Sequence, residues 1–142
     1  MEFNDLKTAS DDLAEGEWVT DLPNIGDARL KVRSMSAPAV VRALGRAMRA
    51  ASDDDGNVSP DVVDQIDLKV IAEQVLLDWD GFTQDGEPVK HSPGLARVWL
   101  ETDLFMTAVR VAAHRVQEKS NKRLAALAKN SQSPSSKKPR AA

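Results

Sequence analysis

The 142-residue chain contains no cysteine and no tyrosine, and only three Trp, three Phe and two His. Without cysteine there can be no disulfide, no thiolate metal site and no thiol nucleophile. His91 and His114 fall in different elements and do not form a pair of His four apart on a helix, so neither reads as a ligand. The seven glycines are scattered and no Gly-Lys-Ser/Thr follows any of them, which removes a phosphate-cradling loop. No Ser sits in a nucleophile elbow. No apolar run approaches the roughly 20 residues that cross a bilayer. Met1–Asp5 also lacks the basic and apolar regions of a secretion signal, so a cytosolic protein with no membrane partner is expected. Asp78 and Asp80 flank Trp79; on a helix, residues two apart point to different sides, so they read as helix-end and turn hydrogen-bonding groups. The chain carries no positive sign of an enzyme, and no cofactor or metal is expected.

What is present is an ordinary globular composition, 42% apolar and 29% charged, in one domain long enough to bury a core. The net charge of −3 hides an asymmetry. From Gln117 to Ala142 there are seven Lys or Arg against one acid, which leaves 12 basic and 21 acidic residues in the body before it. An acidic body argues against a nucleic-acid surface on the folded part. The basic tail reads as a solvated extension that could touch polyanions.

Residues 1–16 are polar and acidic and read as a flexible N-terminus. Glu17–Leu22, the turn cluster Pro23–Asp27 and the alternating Ala28–Ser34 predict an antiparallel hairpin with Trp18, Leu30 and Val32 on its inner face. Such a hairpin must lie on helices or pair with another strand. Ser36-Ala37-Pro38, Ser59-Pro60 and Ser92-Pro93 each open a helix with a capping hydroxyl and an early proline. In the first of these, Arg42, Arg46 and Arg49 oppose the apolar side. They could bind phosphate, but a solvated face is the preferred reading because the acidic body can pair with them. The acidic loop Asp53–Asn57 fails the calcium-loop spacing in both registers and suits a helix N-terminus instead. Pro60–Trp79 has two apolar stripes and predicts the central helix, covered on more than one side. A last helix starts near Thr102-Asp103 with Leu104, Phe105, Ala108, Val109, Ala112 and Val116 on its apolar face. Residues 131–142 are low-complexity and basic and read as a disordered tail. The expected architecture is mainly α (α+β): a single domain over 17–130, with about four helices and the N-terminal hairpin.

Leu76 to Ser92 is the stretch around which these elements are arranged. It holds Trp79, Phe82, two Asp-Gly pairs and Pro88, and reads as an aromatic plug pinning a turned loop to the flanking helices. Leu77-Asp78-Trp79-Asp80-Gly81-Phe82, then Asp85-Gly86-Glu87-Pro88-Val89 and Ser92-Pro93, resembles the tail assembly chaperones of long-tailed bacteriophages and prophages. So do the hairpin leading into Lys31-Val32-Arg33 before it and, after it, the terminal helix passing through Ala128-Lys129-Asn130. The similarity spans roughly Glu15 to Asn130. It implies a non-virion helper in the host cytoplasm. Its expected partners are the tape-measure protein, the major tail-tube protein and a frameshift-extended form of itself, for which Ala128-Lys129-Asn130 is compatible with a slippery A-AAA-AAC message. It implies no catalytic residues.

Such a helper needs an apolar groove for an amphipathic helix, rimmed by charge. Candidates are the outer stripe of the central helix and the face of the last one, with Trp79, Phe82, Trp99 and Phe105 nearby; for each of the four aromatics plain core is the preferred reading. Trp18, on a short edge strand, is the aromatic most readily given to a partner. The alternative is a small nucleic-acid-binding or regulatory phage protein that uses the Arg42, Arg46, Arg49 stripe and the basic tail.

Overall fold

A computed structural model describes residues 1–137, with side chains described through Lys129. The protein is mainly helical with a small β component, as the sequence pattern implies, and it begins with a helix where a flexible segment was expected. This helix, α1 (Phe3–Glu15), buries Ala9 and half-buries Leu13, and its Asp12 pairs with Arg123. Leu6, Ala9 and Leu13 follow three-and-four spacing, but the stripe is so narrow among polar residues that only a covering helix makes it count. The helix ends at Gly16, at φ 77°.

The expected hairpin forms from β1 (Glu17–Val19) and β2 (Arg29–Val32), paired antiparallel. Leu30 and Val32 are fully buried, but Trp18 lies on the other face and is 38% exposed. The register explains the difference. Trp18 stands opposite Lys31, while Glu17 and Val19 stand opposite Val32 and Leu30, so the core-facing set on β1 is Glu17 and Val19. Glu17 meets Lys119 and Arg123 there.

Proline lies in the first turn of α2 (Pro38–Ala51) and α3 (Pro60–Val70). The prolines set the start of each, without the expected hydroxyl caps. No side chain caps α2, whose N-cap is Ala37, and Ser59 at the N-cap of α3 makes no cap bond. The predicted central helix stops well before Trp79. After α3 comes a wide π-turn, Ile71–Val75, in which the Leu76 N–H reaches back to the Ile71 carbonyl. The chain then enters β3 (Leu76–Asp80), which pairs antiparallel with β2 and completes a three-stranded sheet of order β1-β2-β3. This is the partner strand the hairpin needed. It is hidden in the sequence by a β-bulge. Lys31 pairs with Asp78 but Val32 pairs with Leu76, so Leu77 is the extra residue. The two buried residues of β3, Leu76 and Trp79, are therefore three apart, which imitates a helical stripe.

Arg33 clasps this joint. Its backbone N–H donates to the Val75 carbonyl (2.9 Å), Nη1 to the Gln74 carbonyl (3.1 Å) and Nε to the Ala14 carbonyl (2.6 Å). One side chain thus supplies donors to the end of the π-turn and to the end of α1. A two-stranded hairpin of β4 (Thr83–Gln84) and β5 (Glu87–Pro88) follows, then α4 (Pro93–Trp99), where Ser92 Oγ does cap the Leu95 N–H.

The last helix, α5 (Asp103–Lys137), packs across the sheet with Phe105, Ala108, Val109, Ala112, Ala113 and Val116 buried. Its alanines allow close approach to Leu30 and Val32 in the common core. Arg115 donates to the carbonyls of Thr20 and Asp21 (both 2.9 Å), tying the hairpin loop to the helix. The backbone carries α5 through Lys137, into the stretch whose composition reads as a tail; residues 138–142, the rest of that stretch, lie outside the described residues.

Candidate partner-binding surface

Four of the five singled-out aromatics come together. Trp79 projects inward from β3 and is buried. It stacks on Trp99 of α4, with centroids 4.3 Å apart and planes 4° from parallel. Phe82 meets Trp79 and Trp99 edge-on at 5.9 and 5.3 Å. Phe105 closes the group at 6.0 Å from Trp79, 5.7 Å from Trp99 and 5.7 Å from Phe82, also edge-on. Edge-to-face contacts set positive ring edges against negative faces, so the cluster is stabilised beyond its buried area.

The loop is held by the same residues. Trp79 Nε1 donates to the Val89 carbonyl (2.8 Å) and the Val89 N–H donates to the Phe82 carbonyl (3.0 Å). Gly81 permits the turn: its φ is 95°, and a Cβ there would sit 3.0 Å from Ala28 Cα. His91 stands edge-on to Trp79 at 4.9 Å, with its Nε2 buried and meeting no described hydrogen-bond partner. The plug expected from Trp79 and Phe82 is therefore present, anchored on a strand instead of a helix end.

Trp79 and Phe105 are the inner half of this cluster and Phe82 and Trp99 its half-buried rim. Two exposed apolar side chains, one of them on the α5 face already considered as a groove, are not among the aromatics singled out from the sequence. Val98 and Leu104, the chain neighbours of Trp99 and Phe105, are 60% and 61% exposed. Val98 could have been found from spacing, because Ala96, Trp99 and Leu100 take the inward positions of a seven-residue helix and leave it facing away. Leu104 sits in the opening turn of α5, where no preceding turn covers it.

Trp18 is not part of this surface. It lies on the outer face of the sheet with the Arg29 guanidinium 4.3 Å from its ring centroid, and Arg29 also bonds Asp80 at 3.2 Å. Asp78 and Asp80 share that outer face because residues two apart on a strand point the same way. They are differently engaged: Asp78 accepts from the Trp79 N–H at 2.8 Å and Asp80 pairs with Arg29. Among the described residues, no group of three or more His, Asp or Glu is placed to hold a metal ion. The arginines of α2 form the solvated face expected of them, without the pairing that the acidic body would allow. Arg42, Arg46 and Arg49 are exposed, but among the described residues none forms an ion pair with the acidic body, whose pairs lie elsewhere. No described helix is long and apolar enough to cross a membrane.

The YdaY prophage protein family matches residues 35–130, from just before α2 well into α5, including the whole aromatic cluster. No curated protein and no solved structure matches the chain. The family match supports the phage or prophage origin implied by the Leu77–Phe82 resemblance, and it reaches no narrower than that. Covering more than half of the sequence, it shows that the chain belongs to the YdaY prophage protein family.

Proposed function

We propose that this prophage protein is a non-enzymatic tail assembly chaperone of the host cytoplasm, which holds an amphipathic helix of a tape-measure protein while tail-tube subunits are recruited. The observation that carries the reading is exposed apolar surface on α4 and α5, the two helices that supply Trp99 and Phe105. Two strongly exposed aliphatics, Val98 and Leu104, adjoin half-buried Trp99 and the buried Phe105 on elements fixed by the core. An amphipathic helix recognises such a surface through side chains three and four apart, with a rigid aromatic base to pack upon. Val98 and Leu104 both fall within residues 35–130, the segment matched by a prophage family, and the resemblance of Leu77–Pro93 to tail assembly chaperones supplies the partner class.

Co-expression with the prophage's long coiled-coil tape-measure product, followed by affinity capture, tests this. Capture is expected to survive 0.5 M salt, because the attraction is apolar. Val98→Glu with Leu104→Glu should reduce it at least tenfold while leaving the far-UV circular dichroism unchanged. Undiminished capture by the folded double variant, or none by the wild type, rules the reading out. The frameshift-extended partner stands or falls separately, on whether the codons for Ala128-Lys129-Asn130 form a slippery run with an open downstream frame.

A further inference from the structure

Two surfaces of the protein carry opposite charge. On the outer side of α2, Arg42, Arg46 and Arg49 follow three-and-four spacing and engage no ion pair among the described residues. Val41, beside them on the helix, is 54% exposed. The other surface is a groove where α3 meets the start of α5. Its floor is apolar, with Leu68, Leu100 and Met106, and its rim carries Asp64, Asp67, Glu101 and Asp103. Arg97 satisfies part of that rim, bonding Glu101 at 3.4 Å and Gln65 at 2.6 Å, and Arg110 stands in the groove as well. The carboxylates still outnumber the cations.

One copy cannot join its own two surfaces. The furrow between α2 and the next helix is lined by Ala43, Arg46 and Ala47 on one side and by Lys69, Val70, Glu73 and Gln74 on the other, and Arg46 forms no described ion pair with Glu73 there. Lys69 and the groove residue Asp67 are two positions apart, so they diverge by about 200° around α3. α3 stands between the arginine face and the groove.

We propose that the acidic groove of one copy receives the α2 arginine face of a second copy, giving head-to-tail self-association. Two turns of α2, about 10 Å of axis, present all three guanidiniums, whose fork geometry suits paired carboxylates better than a lysine point charge does. Because each copy keeps one face and one groove free, the contact is heterologous and propagates into rings or open chains. Exposed ion pairs are individually weak and screened by salt, so association is reversible and ionic. This inference is independent of the chaperone reading.

Sedimentation velocity of the full chain over a concentration series, at 50 mM and 500 mM salt, tests it. Concentration-dependent oligomers are expected at low salt, weakened about tenfold or more at high salt. Arg42→Gln with Arg46→Gln should give a folded monomer, and so should Asp64→Asn with Asp67→Asn. Mixing these two variants leaves one intact face and one intact groove, and should give a one-to-one heterodimer that grows no further. A wild type monomeric at every concentration, folded variants that associate as the wild type does, or a mixture that forms no heterodimer would each overturn the proposal. So would a wild type that stays monomeric while its α2 face binds duplex DNA, since that face would then belong to nucleic acid.

Discussion

At Gly16 the backbone holds φ 77° and ψ −179°, a region open to glycine and almost nothing else. A Cβ there would stand 2.7 Å from the Val32 carbonyl oxygen and 2.9 Å from Leu77 Cδ1. Gly16→Ala is therefore expected to cost about 2–3 kcal/mol from strain and overlap together. Gly56→Ala, at φ 81° with nothing within 4 Å, should cost only about 1 kcal/mol. Urea denaturation of the two variants checks both, and equal losses would remove the packing argument. At this scale the sequence was informative where chemistry is scarce: with six aromatics in the chain, the grouping of Trp79 and Phe82 stood out. It put Trp18 on the wrong face, because a three-residue strand has too few alternations to fix its own register and β2 sets it.

The elements were legible where a start signal exists. Pro38, Pro60 and Pro93 each fall in the opening turn of a helix, and the alternating Arg29–Val32 is a strand. β3 was not legible, because its bulge places Leu76 and Trp79 at a helical interval directly after a real helix, with no Gly or Pro to mark the change. The π-turn absorbs the transition, and the number of residues in it decides which face of β3 turns inward. Deleting Glu73, an exposed residue of that turn, shifts every following side chain of the strand by one place and would send Trp79 toward solvent. That deletion is expected to cost more than about 3 kcal/mol or to prevent folding, whereas Glu73→Ala should stay within about 0.5 kcal/mol. Thermal unfolding of both proteins separates the effect of residue count from that of side-chain identity. A deletion as stable as the substitution would show that β3 re-registers freely.

For the whole molecule, the family-matched segment and the folding unit have different boundaries. Residues 35–130 omit β2, whose Leu30 and Val32 are fully buried against α5 and β3. A 35–130 fragment would expose that face and leave β3 without its partner strand, so it is expected to show no cooperative melt. A 17–130 fragment restores the sheet and should unfold cooperatively, at a lower temperature than the full chain because α1 is missing. A cooperative 35–130 fragment would mean that the hairpin only decorates an independent helical core. The long final helix ties these parts into one body: its first turns close the aromatic cluster and its later turns hold α1 through Arg123. Leu104 and Lys129 lie on that single helix, roughly 38 Å apart at 1.5 Å per residue. A helix unbroken over that length acts as a spacer bar, keeping its foot and its tip at a set interval with no hinge between them.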